Sequence, residues 1–346
     1  MFDNIFIMGG GCWSSAIASV LKDTPAARAP ADGASVTIWE IDPLRRGYFR
    51  KHGHPEFFPY VKLRGVKFAD ELKIPDDTDL LIAAVPAQTL RPALVKISAF
   101  VKKKRLPVLV LSKGIEITSL KSLDAVCAEV LGRNVPVAVM TGPSHAEELA
   151  VKQPTSVVVA SKNRSLALRI QALFTRHYLR PYIQGDIRGA AVGGAVKNVM
   201  AAAAGVCDGL GLGINAKAAL LTRGLAEMTR IGVYMGGHHS TFSGLSGVGD
   251  LIVTAFSSYS RNRNLGEALG RGMTLPEAKK KVKTTAECAE TVKALMKIAA
   301  KGKVNAPITE ELFNIMYRKR PAREAIGRLM GRAVKSEDEK RVKGDF

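Results

Sequence analysis

The feature that most limits what this chain can become lies near its start. An apolar run, Asn4–Met8, stops at Gly9-Gly10-Gly11 and gives way to a helix-like stretch, Ser14–Lys22. A strand, a glycine turn and a helix in that order open a βαβ unit that cradles a dinucleotide. Gly9 allows the tight turn, and Gly11 lets the backbone approach a pyrophosphate. The helix N-terminus adds amide donors and the positive end of its dipole. Ser14 takes the third glycine position as a small residue that packs near the strand. The alternation continues: Ser35–Glu40, Leu80–Val85, Val108–Ser112 and Val137–Thr141 read as strands, with helical stretches such as Thr89–Lys104 and Leu120–Leu131 between them. Near-continuous apolar strands suit a parallel sheet covered on both faces. Thr155–Ala160 and Leu179–Ile183 are expected to extend its far edge.

The pattern changes near Gly185–Gly194. Beyond it, alanine-rich helical segments dominate: Ala195–Val206, Ala216–Ile231, Leu265–Arg271, Pro276–Val282, Ala286–Ala300 and Thr309–Arg318. A chain of 346 residues suits two domains. The expected fold class is α/β: an N-terminal Rossmann-like doubly wound sheet over 1–190, a C-terminal all-helical domain over 191–332, and a charged tail over 333–346.

Composition narrows the function classes. No uninterrupted apolar run approaches the ~18–20 residues that cross a bilayer, and the N-terminus carries no basic leader. Cysteines at 12, 127, 207 and 288 form no CxxC pair and no metal or disulfide framework. They read as reduced thiols of a cytoplasmic protein. The net charge of +20 is spread over both halves and draws anionic substrates toward the surface. No zinc-finger spacing or RNP-type aromatic motif accompanies it, so no nucleic-acid partner is expected.

Glu40 ends the second strand. An acid there hydrogen-bonds the adenosine ribose and repels a 2′-phosphate, which favours NAD; Arg45 and Arg46 just beyond offer a 2′-phosphate site instead, which would suit NADP. Equally, Glu40 reads as a solvent-exposed strand end.

Longer motifs carry a resemblance. Gly193-Gly194-Ala195-Val196-Lys197-Asn198-Val199 is followed by Asp208-Gly209, Asn215-Ala216 and Leu221–Met228. Gly247-Val248-Gly249-Asp250-Leu251 precedes Ser260-Arg261-Asn262-Arg263. Ser112-Lys113-Gly114-Ile115-Glu116, Thr141-Gly142-Pro143-Ser144 and Pro307-Ile308-Thr309-Glu310 complete the set. From Ile5 to about Arg332 the chain resembles the bacterial-type NAD(P)-dependent glycerol-3-phosphate dehydrogenases. The resemblance implies reversible reduction of dihydroxyacetone phosphate to sn-glycerol 3-phosphate, supplying phospholipid synthesis, with no metal.

It also implies roles for individual residues. Hydride transfer builds negative charge on the carbonyl oxygen, which needs a proton donor or cation within ~3 Å. Lys197, expected to open a helix after Gly193-Gly194, is that group. Lys113 ends a buried strand and supplies a second cation for substrate or cofactor. Asp250 orients and charge-balances the lysines; read alone it is equally a helix N-cap. Gly142 and Ser144 end another strand on the substrate side, and Thr254 lies there too. Ser260, Arg261 and Asn262 form a loop expected to fold over the site, where the Arg261 guanidinium matches phosphate with two parallel bonds. Gly9, Gly11, Cys12, Trp13, Glu40, Lys113, Ala146, Arg261 and Glu287 fall to the cofactor. His145 is expected to be structural.

The sequence departs from the family at Cys12-Trp13, Val248, Cys288 and the long Asp23–Ala34 loop. A homodimer is expected through the Ala- and Gly-rich helices. Two other readings remain at this point. One is a related ketone reductase for a carboxylate substrate, since arginine binds carboxylate as well as phosphate. The other is a basic nucleic-acid-binding protein on the same scaffold.

Overall fold

Apolar runs of β-branched residues separated by helical stretches leave the backbone one economical solution, parallel strands joined by crossover helices. The computed structural model describes residues 2–23, 34–282, 286–334 and 337. Most of the Asp23–Ala34 loop, Lys283 of a basic cluster and nearly all of the charged tail lie outside the described residues. The N-terminal part runs β1 (Asn4–Met8), α1 (Cys12–Lys22), β2 (Ser35–Trp39), α2 (Pro43–His52), β3 (Val66–Ala69), β4 (Leu80–Ala83), α3 (Leu90–Lys104) and β5 (Val108–Val110). It continues through α4 (Leu123–Leu131), β6 (Val137–Thr141), α5 (Ala146–Ala150), β7 (Thr155–Ala160), α6 (Arg164–Phe174) and β8 (Leu179–Gln184).

These strands form one eight-stranded sheet in the order β3-β2-β1-β4-β5-β6-β7-β8. Every pair is parallel except β6 with β7. This is the Rossmann-like doubly wound sheet expected. β1 lies between β2 and β4, so the chain changes direction across the sheet there. The crevice beyond the C-terminal ends of β1 and β4 is the place where such sheets take ligands. β3 was not anticipated: its residues are half-buried or exposed, so no apolar run marks it. Separate apolar cores cover the two faces, one including Ile7, Ile17 and Phe174, the other including Phe6, Leu94 and Val110.

The helical part consists of α7 (Ile187–Gly209), α8 (Ile214–Tyr234), a 3₁₀ turn at His239–Ser243, a π-helical turn at Leu245–Gly249, α9 (Asp250–Phe256) and α10 (Arg261–Gly270). α11 (Leu275–Val282), α12 (Cys288–Gly302), α13 (Pro307–Tyr317) and α14 (Ala322–Met330) follow. α7 begins at Ile187, so the composition boundary at 190/191 falls inside it. By length and composition α7 is apolar enough to cross a membrane, yet its apolar stretch is wholly buried within the protein. Runs of large apolar residues miss it because its apolar character comes from Ala, Gly and Val.

Two corrections concern placement. Lys197 lies in the middle of α7 rather than at a helix start. Gly193 and Gly194 continue the helix despite costing about 1 kcal/mol each against Ala, because neighbours press on them. A Cβ at Gly193 would stand 2.5 Å from the Ser246 carbonyl oxygen, and one at Gly194 would stand 2.7 Å from Thr141 Oγ1. Likewise Ser260–Asn262 is a helix start rather than a loop: Ser260 is the N-cap of α10, and its hydroxyl accepts the Arg263 amide at 3.2 Å.

α7 and α10 meet backbone to backbone. Added methyls at Gly205 and Gly209 would stand 2.0 and 2.2 Å from the carbonyl oxygens of Arg263 and Glu267. Methyls at Gly266 and Gly270 would stand 1.9 and 2.4 Å from those of Ala202 and Val206. The four-residue spacing on both helices puts each pair of glycines on one face.

Candidate active site

The glycine turn leaves β1 at the switch point. Gly9 has φ +115°, and a Cβ there would lie 2.7 Å from the Ala84 carbonyl, so only glycine fits. Gly10 makes room for Glu40 and Phe49. Above Gly11 the space is open, with Ser14 Oγ at 4.0 Å as the nearest atom. α1 begins there with no side-chain cap and no acid in its first turn. Small residues, an open cradle and an uncapped eleven-residue helix N-terminus fit a dinucleotide pyrophosphate. Cys12 and Trp13 supply the first amides, and Ser14 packs buried with its hydroxyl donating to the Gly11 carbonyl.

Glu40 is buried, not a solvent-exposed strand end. One carboxylate oxygen accepts the Gly10 amide at 3.0 Å and the other the Asp42 amide at 3.1 Å. Arg46 turns back onto the carbonyls of Glu40 and Ile41 and pairs with Asp70, while Arg45 pairs with Asp42.

At the C-terminal ends of β5 and β6 the sheet meets α7 and α9. Asp250, 1% exposed, sends its carboxylate to two lysines: Oδ2 to Lys113 Nζ at 2.7 Å and Oδ1 to Lys197 Nζ at 2.9 Å. It opens α9, but its side chain makes no cap bond, so the N-cap reading gives way to the ion-paired one. Lys197 also donates to Thr254 Oγ1 at 2.5 Å, and that hydroxyl donates to the Asp250 carbonyl at 2.6 Å. Lys113 reaches the Gly142 carbonyl at 3.3 Å, which also accepts the Ser144 hydroxyl at 2.9 Å. Ala146 begins α5 just beyond.

Two ammoniums share one buried carboxylate, so the cluster keeps a net positive charge. Burial is the largest influence on Lys197 and brings it down to about 8; Asp250 opposes this and Lys113 reinforces it. For Asp250 burial acts upward, but the two lysines outweigh it and hold the carboxyl below its usual range. A cationic group able to give up its proton near neutrality thus sits where the sheet opens toward the glycine turn.

The third group descends from α10. Arg261 Nη2 reaches across to Cys12 Sγ at 2.9 Å, joining the helical part to the glycine turn. Asn262 donates to Asn198 Oδ1 at 2.9 Å and accepts the Cys288 amide at 3.0 Å, so it is locked beside Lys197 and the start of α12. Glu287 accepts the Ala87 amide at 3.4 Å. Burial pushes its carboxyl up to about 7, against the Ala87 bond.

Comparison with known proteins decides the lineage. Residues 4–167 match the family model of the NAD-dependent glycerol-3-phosphate dehydrogenase N-terminus, and residues 186–327 that of its C-terminus. This chain belongs to the NAD-dependent glycerol-3-phosphate dehydrogenase family. A glycerol-3-phosphate dehydrogenase [NAD(P)+] of Geobacter metallireducens is 38% identical over 342 residues, 97% of this chain and 99% of that one. The Bacillus subtilis protein of the same name is 39% identical, over 97% of this chain and 96% of its own. The crystal structure of glycerol-3-phosphate dehydrogenase from Coxiella burnetii superposes with a TM-score of 0.87 at 30% identity, covering 96% of this chain and 99% of that one.

Within this family member, the structure brings Lys113, Lys197, Asp250, Thr254 and Gly142 into one contact set, with Arg261 and Asn262 on the adjoining helix. Ser260 is engaged as a cap and Ser144 as a turn bond. Two side chains escaped the sequence reading. Thr141 donates to Asp250 Oδ2 at 3.2 Å from a buried position, and Asn198 orients Asn262. Both lie inside motifs singled out for their neighbours; a polar residue closing an apolar strand, as Thr141 does, was the available signal. His145 faces the Val253 carbonyl at 3.3 Å. Burial, its largest influence, holds its imidazole below the usual range.

Proposed function

We propose that this chain reduces dihydroxyacetone phosphate with a reduced nicotinamide dinucleotide, giving sn-glycerol 3-phosphate and the oxidised dinucleotide, with Lys197 as the proton donor. A reduced nicotinamide supplies the hydride when bound. As the carbonyl carbon gains that hydride, its oxygen gains negative charge and takes a proton from the Lys197 ammonium, forming the hydroxyl. In the reverse direction the Lys197 amine removes the hydroxyl proton. Lys113 adds positive charge beside the developing oxyanion. Asp250 holds both lysines in place without neutralising both. The observation that carries this reading is the single buried carboxylate bridging two lysines at the mouth of the sheet. Dihydroxyacetone-phosphate-dependent oxidation of NADH, followed by nicotinamide absorbance, tests it directly; a protein that binds NADH but turns over no ketone phosphate would refute it.

The pH dependence has a definite sign. Lys197 titrates near 8, so reduction, which needs the ammonium, loses kcat/KM as pH rises through that value. Oxidation, which needs the amine, gains over the same range. Opposite limbs crossing near pH ~8 are expected from initial rates in the two directions. Two profiles of the same sign would remove Lys197 from the role.

NADH is the expected cofactor. Glu40 places a carboxylate at the end of β2, while the nearby arginines are committed to Asp42, Asp70 and backbone carbonyls. Glu40→Ser should relax the preference for NADH over NADPH by about tenfold, the effect of roughly 1.4 kcal/mol of lost repulsion. A parent enzyme that already prefers NADPH would overturn the assignment. The buried free thiols of all four cysteines suit a reducing compartment, and we place the enzyme in the cytoplasm as a source of glycerol phosphate for lipid synthesis.

A further inference from the structure

Arg261 and Asn262 occupy the first turn of α10, and something must fix the rotation of that helix. The glycine contacts with α7 set how near the two axes come. They offer no interdigitating side chains, so they resist rotation and sliding poorly. Asn262, held by Asn198 and the Cys288 amide, is one restraint, and a charge chain one step beyond it is a second. Arg263 Nε meets Asp208 Oδ2 at 2.8 Å, at the far end of the helix that carries Lys197. Both oxygens of Asp208 accept the Lys217 ammonium at 2.9 Å, from the first turn of α8. Arg263 Nη1 continues to Glu267 at 2.9 Å, and Glu267 pairs with Arg271.

The pairs are well screened from solvent. Side-chain exposure is 20% for Asp208, 18% for Arg263 and 8% for Lys217. None of the three residues touches the lysine–aspartate cluster, so the mechanism above does not use them. The bidentate bond to Lys217 fixes the Asp208 rotamer, and Asp208 in turn fixes the azimuth of Arg263 around α10. Arg261 lies two residues earlier on the same turn, so the direction in which its side chain leaves the helix follows.

We infer that Asp208 is a positioning residue, which through Arg263 aims Arg261 at the phosphate of the substrate. This rests on the reading of Arg261 as the phosphate-binding group. A misaimed guanidinium spoils recognition of the phosphate and leaves proton delivery from Lys197 intact.

The test compares dihydroxyacetone phosphate with dihydroxyacetone in the full-length enzyme. Asp208→Asn should lower kcat/KM for the phosphorylated substrate by about 10–30-fold, mostly through KM, and by less than about threefold for dihydroxyacetone. Arg263→Lys, which keeps the charge but loses the planar donor, should give the same selective loss and serves if the Asp208 variant folds poorly. In an Arg261→Ala background neither substitution should have a further effect on the phosphorylated substrate. Equal losses for both substrates, or losses that add to that of Arg261→Ala, would make Asp208 a purely structural residue and overturn the inference. If Arg261→Ala itself leaves phosphate discrimination intact, the reading of Arg261 falls first and the inference falls with it.

Discussion

Lys197→Met lowers kcat for dihydroxyacetone phosphate reduction by about 10³-fold, within the ~10²–10⁴ range of a lost general acid. The substitution keeps the volume and the linear shape of the side chain. It does not strand a charge, because Asp250 still holds Lys113 at 2.7 Å. It also relieves the burial penalty that depresses the ammonium, so the variant should melt no lower than the parent. Affinity for NADH, measured by fluorescence titration, should change by less than about threefold, since Lys197 reaches Thr254 and Asp250 rather than the glycine turn. Loss of NADH binding in step with turnover would show that Lys197 supports the fold instead.

Arg261→Ala is the second large effect. The substrate carries a phosphate of charge near −2 at neutral pH. A guanidinium grips it with two parallel bonds where lysine offers only a point charge. Removing that charge-assisted pair from a partly dry site costs ~3–4 kcal/mol, on the order of 10²–10³-fold in kcat/KM. Dihydroxyacetone, lacking the phosphate, should be a poor substrate for the parent and lose little more with the variant. Equal damage to both substrates would shift the reading toward a carboxylate ketone. The contact of Arg261 with Cys12 adds a secondary outcome: NADH affinity should also weaken, because the same guanidinium borders the cofactor turn.

Apart from β3, the sheet was legible because its strands are short, largely apolar and separated by helical lengths, and because a glycine turn after the first strand has few alternative uses. Lys113 and Gly142 were placed by the same pattern, although β5 stops at Val110 and Lys113 stands three residues beyond it, while Gly142 directly follows β6. What escaped is what depends on partners distant in sequence. Gly193-Gly194 reads locally as a break, and only the approach of Ser246 and Thr141 explains why the helix passes through it. Glu40 reads as an exposed strand end until the Gly10 amide, thirty residues earlier, is seen to hold it. Ser260 reads as a loop hydroxyl until its bond to the Arg263 amide shows it to be a cap. Arg261 and Asn262 were legible by chemistry but not by place, since nothing local says that their turn abuts Asn198 and Cys12.

The glycine contacts between α7 and α10 fix how closely two helices approach, and those helices carry the residues of the candidate site. One helix carries the group assigned to the carbonyl end of the substrate, and the other carries the group assigned to its phosphate end. Where Gly205, Gly209, Gly266 and Gly270 meet the facing backbone, no side chain intervenes, and the gap there is set by covalent backbone dimensions and van der Waals radii. A single methyl at Gly266 would stand 1.9 Å from the Ala202 carbonyl oxygen, far inside contact distance, and would have to wedge the axes apart. The spacing of the two helices that carry Lys197 and Arg261 is therefore held, at these four positions, by the absence of side chains rather than the presence of any.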